Sequence, residues 1–212
     1  MDGLDGLDGL VLGLTIGLTA GVSPGPLLFL TITSALRSGA RAGVIVACAP
    51  LVSDLVVVAL TLLVLGQLPG TALSVIWVVG GLFMGWLGVR TWVEARTASL
   101  NQARAESPPS TLRALREGAV VNLLSPHPWV AWATALGPLT LSAWRDGPSN
   151  AVVFVAGFYL TLVGAKIAVA LLAGQGRRRL SDGGYRTALR VAAVLLASSG
   201  VALVVEFGRG LV

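Results

Sequence analysis

Six long apolar stretches constrain the fold of this chain more than any other feature of its sequence. Each is close to the roughly 20 residues that a helix needs to cross the hydrocarbon core of a bilayer. The stretches are continuously apolar rather than alternating, which favours helices over membrane strands. We therefore predict an all-α polytopic membrane protein with six transmembrane helices in contact with the lipid bilayer. The predicted spans are residues 10–34, 42–66, 70–93, 118–141, 150–173 and 189–208.

The composition argues against soluble classes of protein. Hydrophobic residues make up 55% of the 212 residues and charged residues 12%, whereas a soluble domain carries about twice that charged fraction. The net charge of +5 is interpreted as membrane topology, so no nucleic-acid partner is expected. The chain has one cysteine, Cys48, and one histidine, His127. These cannot form a dithiol pair or a His/Cys cluster, so we expect no cofactor and no metal site.

The arginines predict how the helices are oriented. Twelve of the fourteen arginines fall in or next to the loops after the first, third and fifth spans, whereas Arg145 and Arg209 fall on the other side. Because cytoplasmic loops carry the excess of basic residues, we expect these three loops in the cytoplasm and both chain termini outside. The acidic N-terminal segment lacks the basic start that a cleaved signal peptide has.

The chain divides into two halves that carry the same proline motif. A predicted cytoplasmic linker at residues 94–117 separates a first three-helix repeat, residues 10–93, from a second, residues 118–208, within one membrane domain. Because each half has an odd number of helices, the halves have opposite orientations. The motif Ser-Pro-x-Pro occurs in the first helix of each half, at 23–26 and 125–128. Matched breaks in oppositely oriented halves are typical of inverted-repeat transporters.

The two proline motifs predict that helices 1 and 4 are broken near the middle of the membrane. Each proline removes a main-chain donor, and non-helical backbone at this depth must face protein or a wet cavity. Ser23 and Ser125 are placed to cap the restarting half-helices, whose free N–H groups favour a carboxylate. A simple proline kink is the alternative. The predicted substrate-binding residues in these segments are Ser23, Pro24, Gly25, Pro26, Ser125, Pro126 and His127.

Three further polar residues within the spans are candidates for function. Asp54 lies near the centre of the second span, where a charge costs about 2.5–3.5 kcal/mol on insertion scales, so we expect it to bind substrate or carry a proton. A protonated Asp54 bonded to a neighbouring helix is the alternative. Lys166 either snorkels to the interface or pairs with Asp54. Asn122 either binds freed main-chain groups or contacts the substrate. For His127, packing or a bound water is the alternative to a ligand role.

These motifs together resemble the lysine exporter family, the LysE/RhtB-type amino-acid exporters. The resemblance covers essentially the whole chain. It rests on the Ser-Pro-Gly-Pro break, the Gly39-x-x-x-Gly43 loop, Asp54 and the Asn-Leu-Leu-x-Pro segment that opens the fourth span. It implies export of an amino acid or related small metabolite across the bacterial cytoplasmic membrane by a homodimer, driven by the proton gradient. Family members commonly read Asn-Pro-Lys where this chain has Ser125-Pro126-His127.

A secondary exporter has two alternatives. The main alternative is a relative of the same superfamily that effluxes a cation or another small toxic solute, although loops rich in His, Cys or Asp are lacking. An intramembrane enzyme is the other. A rhomboid-like protease needs Gly-x-Ser-Gly, which Gly21-Val22-Ser23-Pro24 does not match, and a thiol-redox protein needs cysteines in helices 1 and 4. We therefore predict a transporter and not an enzyme.

Overall fold

All regular secondary structure in the described part of the chain is helical. The computed structural model describes residues 6–63, 70–97, 109–179 and 181–208. Every predicted apolar stretch overlaps with helix, in agreement with an all-α membrane protein. The helices are α1 (Gly6–Val22), α2 (Pro26–Ser38), α3 (Ala40–Ala47), α4 (Pro50–Leu63), α5 (Gly70–Thr97), α6 (Thr111–Leu123), α7 (Pro126–Ala131), α8 (Gly137–Asp146), α9 (Pro148–Arg179) and α10 (Asp182–Gly208), and a π-helical turn, Trp132–Leu136, joins α7 to α8.

Two helical segments are long and apolar enough to cross a membrane on their own. They are Ala40–Thr61 and Pro148–Gly176. The pair α1 and α2 qualifies as a third span if the two are counted together, and it is bent by 62° at the break between them. Among the described residues, length and composition thus support two or three spans, as expected of a helical membrane protein. The arrangement of six spans as two inverted repeats stays a prediction.

Both predicted breaks are present, and each is shorter than the sequence suggested. The first comprises residues 23–25 and the second comprises residues 124–125. The predicted breaks extended over 23–26 and 125–128, but Pro26 and Pro126 are the first residues of α2 and α7. Proline is tolerated in the first turn of a helix because the N–H that it lacks has no partner there. A proline therefore starts the helix after each break: the second proline of the first motif and the first proline of the second motif.

Two further boundaries differ from the prediction. A turn at residues 48–49 separates α3 from α4 just before Pro50, within the predicted second span. Helix also covers both ends of the predicted linker at 94–117, because α5 continues to Thr97 and α6 begins at Thr111. The Ser110 side chain accepts a hydrogen bond from the Arg113 N–H at 3.3 Å, which caps α6. Residues 98–108 of the predicted linker lie outside the described residues, as does Arg209.

Small residues let α1 pack directly on α9. Gly13 and Gly17 are buried on the same face of α1. A Cβ atom added at Gly13 would overlap the main-chain oxygen of Phe154, and one added at Gly17 would overlap that of Phe158. Glycines spaced by four residues allow such close approach of helices in membranes. The helix pair α5 and α10 is likewise closely packed along its length.

An apolar core holds the second break against its neighbours. Its members come from α4, from the segment α7 to α8 and from α9, which are thereby fixed around one region of the molecule. The buried side chains of this cluster are Val57, Trp129, Trp132, Leu136, Phe154, Phe158 and Leu162.

Candidate functional site

A cavity lies where the two helix breaks approach α4 and α9. The cavity has a solvent-accessible volume of about 90 Å³. A buried water needs roughly 10–15 Å³ by this measure, so the cavity has room for several waters or a small solute. Of the residues predicted to form a site, those that line the cavity are Ser23, Gly25, Pro26, Asp54, Asn122, Ser125, His127 and Lys166.

Two predicted site residues do not line the cavity. They are Pro24 and Pro126, and Pro24 is exposed. Their place in the chain explains this, because each follows the serine of its motif at the point where the backbone changes direction. Both lie where the main chain changes direction beside the cavity.

Asp54 is the centre of a hydrogen-bond network that joins α4 to α6 and α9. Its side chain is buried, with 4% of its surface exposed. Asn122 donates from Nδ2 to Asp54 Oδ1 at 2.6 Å, and the Tyr159 hydroxyl donates to Oδ2 at 3.0 Å. The same Asn122 amide also lies 2.9 Å from Ser53 Oγ, which donates to the Ala49 carbonyl. Each carboxylate oxygen thus has one neutral donor and keeps capacity for another.

Lys166, on α9, donates hydrogen bonds to main-chain oxygens at the first break. It is also buried, and its Nζ donates to the main-chain oxygens of Ala20 and Gly21 at 3.3 and 3.1 Å. Pro24 has no N–H, so the Ala20 oxygen loses the partner that an unbroken helix would supply. The end of α1 also carries a partial negative charge that favours a cation. The structure therefore gives Lys166 main-chain partners that the sequence did not suggest, and the charge of Lys166 also interacts with that of Asp54, one of the two predicted alternatives.

At the second break, a tryptophan rather than a lysine donates a hydrogen bond to the main chain. Trp129 Nε1 donates to the Leu123 oxygen at 2.9 Å, at the end of α6. At least one main-chain carbonyl group at each break thus accepts a hydrogen bond from a side chain, in keeping with the general need of buried main-chain groups for partners.

The predicted serine caps do not form. The residue before α2 is Gly25, which has no side chain to offer, and Ser23 lies two positions further away. Ser125 does occupy the capping position of α7, but its side chain makes no cap hydrogen bond. A capping oxygen accepts from the second or third N–H of a helix, and the third residue of α7 is Pro128. The prediction was wrong because the prolines determine which N–H groups remain.

Several residues of the cavity and its surroundings were missed in the sequence. Phe158 and Leu162 line the cavity with Lys166, and their spacing of four residues places them on one face of α9. Trp132 also lines it and opens the π-helical turn, a feature often found at functional sites. Its indole N–H lacks a hydrogen bond within the described part, although it lies beside the Tyr159 hydroxyl. The polar atoms of two aromatic residues, Trp132 in the predicted fourth span and Tyr159 in the fifth, were the available signal.

Apolar helices around a cavity lined by the buried polar residues Asp54, Asn122 and Lys166 define a helical membrane protein with an internal polar site. The model of the LysE type translocator family matches residues 18–207, so the chain belongs to this family and the resemblance seen in the sequence is confirmed. Membership makes the protein a membrane translocator and supports transport over enzymatic activity at the level of the family. Comparisons with curated proteins and with solved structures gave no match.

Proposed function

We propose that the protein is a secondary transporter that exports an amino acid or a related small metabolite across the bacterial cytoplasmic membrane in exchange for protons. The cavity is the observation that carries this proposal. It brings residues of both helix breaks together with a buried carboxylate. In a translocator, a cavity between two broken helices that holds buried polar groups is where a polar solute is expected to bind.

The polar groups of the cavity suit the two charges of an amino acid. Asp54 offers carboxylate oxygens to the substrate ammonium group. The first turn of α2 offers main-chain N–H groups to the substrate carboxylate, since Leu27 and Leu28 line the cavity and no side chain caps this helix. Both ends of a zwitterion then have a partner within one site.

The surroundings of Asp54 support the proposed coupling to protons. Both of its hydrogen-bond partners, Asn122 and Tyr159, are neutral donors. The carboxylate can therefore be neutralised in turn by a proton and by the substrate ammonium. Because the two compete for one group, outward movement of substrate is tied to inward movement of a proton.

Helix packing supports two inverted repeats that rock around the cavity. In terms of the six predicted spans, α1 and α2 form span 1, α3 and α4 form span 2, α5 is span 3, α6 begins span 4, α9 is span 5 and α10 is span 6. A pseudo-two-fold axis would exchange spans 1 and 4, 2 and 5, and 3 and 6. A contact between spans 1 and 5 would then correspond to a contact between spans 4 and 2. The contacts of α1 with α9 and of α6 with α3 and α4 have this relationship. The contact of α5 with α10 maps onto itself. Alternating access would then be a rocking of one half against the other.

The proposed orientation places both termini outside the cell. Arg37 lies 2.9 Å from Glu94, so the end of α2 and the end of α5 meet on one side, as two cytoplasmic ends should. Single cysteines introduced near either terminus of a Cys48→Ser protein test this orientation by their reaction with an impermeant thiol reagent in intact cells. A homodimer is part of the same proposal, and light scattering of the purified protein measures it.

Efflux from proteoliposomes tests the proposed function. Vesicles are preloaded with labelled amino acids and export is followed with and without an imposed pH gradient. The variant Asp54→Asn removes the charge and keeps the shape, so we expect export to fall to background at unchanged protein level. Asp8→Asn is the matched control, because Asp8 is an exposed carboxylate in the first turn of α1.

The outcomes separate the two roles of Asp54. Retained substrate binding without export in Asp54→Asn assigns the residue to proton coupling, whereas loss of both assigns it to the substrate ammonium group. Full export by Asp54→Asn would remove the residue from the mechanism. Export of a cation but of no amino acid by the unmodified protein would favour the cation-efflux alternative.

A further inference from the structure

Among the described residues, the cavity is lined by one buried acid and one buried base, which come from different helices. Asp54 on α4 and Lys166 on α9 both line it, and 4% and 5% of their surfaces are exposed. The hydrogen bonds of neither side chain use its full capacity to accept or donate. Each Asp54 oxygen accepts one hydrogen bond, and Lys166 donates to two main-chain oxygens while an ammonium group has three donors. His127 also lines the cavity, but it is an exposed residue.

We propose that this site selects amino acids whose side chain is uncharged and rejects diamino acids such as lysine and acidic ones such as glutamate. The proposal rests on the proposed function and names the substrate class of the same cavity. It follows from counting charges. The substrate ammonium group is matched by Asp54, and its carboxylate is matched by the third N–H of Lys166 together with the first turn of α2.

A third charge on the substrate has no buried residue of opposite charge left to pair with among the described lining residues. The rest of the cavity is walled mainly by apolar side chains, among them Phe158, Leu162 and Leu136. A second ammonium group would also be repelled by Lys166, and a second carboxylate by Asp54. An unmatched charge at this depth costs enough to change an equilibrium by about a hundredfold.

The size of the cavity agrees with such a substrate. Its 90 Å³ of accessible space holds a few groups the size of water, which suits a compact aliphatic side chain. The walls on the Phe158 and Leu162 side can bury that side chain away from water, which is favourable for an apolar group.

Transport from preloaded proteoliposomes tests this selectivity with labelled alanine, valine, lysine and glutamate. We expect the unmodified protein to export alanine or valine and to export lysine and glutamate about a hundredfold more slowly. In Lys166→Met, we expect slower export of valine, because the carboxylate loses a partner. The rate of lysine relative to valine should rise in this variant, because the repulsion of the second ammonium group is gone. Asp8→Asn is the control and should keep the unmodified selectivity.

A binding measurement covers the case in which Lys166→Met fails to fold. Valine should raise the melting temperature of the unmodified protein in detergent, and lysine at the same concentration should not. Export of lysine as fast as valine would overturn the proposed selectivity and leave the proposed function standing. An unchanged ratio of lysine to valine in a folded Lys166→Met protein would overturn it as well. Export of no amino acid at all would overturn the proposed function, and this inference with it.

Discussion

The amide of Asn122 donates to the carboxylate of Asp54 at 2.6 Å, although 68 residues separate the two in the sequence. Asn122 belongs to the end of α6, one residue before the helix terminates, and Asp54 belongs to α4. The bond therefore ties the buried acid of the first half of the chain to the helix break of the second half. We therefore expect a change in the charge or position of Asp54 to alter the end of α6 at the second break.

Replacement of Asn122 tests how much the network depends on this bond. In Asn122→Ala, Asp54 Oδ1 and Ser53 Oγ both lose a neutral donor in a buried place. Leaving such a group unsatisfied costs about 1–3 kcal/mol, so we expect a lower melting temperature in detergent and slower export. Ser53→Ala is the comparison, since it keeps the bond between Asn122 and Asp54. A loss of stability in Ser53→Ala as large as that in Asn122→Ala would contradict the central place given to Asn122.

Local signals in the sequence were sufficient to predict the two helix breaks and the polar surroundings of Asp54. A pair of prolines interrupts a helix whatever surrounds it, and a lone Asp54 in an apolar span requires a polar environment. The partners of Asp54 were not predictable in the same way, because the Tyr159 hydroxyl is 105 residues away and its approach depends on how α9 packs. The bonds of Lys166 to Ala20 and Gly21 also depend on this packing.

The close contact of α1 with α9 predicts an effect of added volume at Gly17. A methyl group there overlaps the Phe158 main-chain oxygen, which cannot move away as a flexible side chain can. Such overpacking costs about 1–3 kcal/mol, so Gly17→Ala should lower the melting temperature in detergent. Gly164→Ala is the matched control on α9, because its added Cβ meets nothing within 4 Å. Equal melting temperatures for the two variants would show that the helices separate enough to admit the methyl group.

Gly25 allows the size of the cavity to be changed without strain. Its backbone angles, φ −148° and ψ 171°, are open to any residue, and a Cβ atom there would meet only the Ser23 oxygen, at 4.0 Å. We expect Gly25→Val to fold with unchanged stability, because a β-branched residue favours extended backbone. Since Gly25 lines the cavity, export of a large amino acid such as leucine should fall more than export of alanine. Equal loss for both substrates would contradict a limit set by size.

The pairing of Lys166 with the end of α1 predicts a dependence between Lys166 and Pro24. In Lys166→Met, the oxygens of Ala20 and Gly21 lose their donor, at a cost of about 1–3 kcal/mol. Pro24→Ala restores an N–H that can bond the Ala20 oxygen within a continued helix, so Lys166 is needed less.

A double-mutant cycle measures this dependence. The free energies of unfolding in detergent of the two single variants and of the double variant give an interaction energy, which for residues that share a partner is about 0.5–3 kcal/mol. We expect Lys166→Met to cost less in the Pro24→Ala protein than in the unmodified one. Combining Lys166→Met with Gly164→Ala provides the control, because Gly164 has open space around its added Cβ. Additive effects in the Pro24 cycle would mean that Lys166 does not stabilise the carbonyl groups that the proline leaves free. Pro24→Ala should also slow export, because the first helix can then continue through the cavity wall.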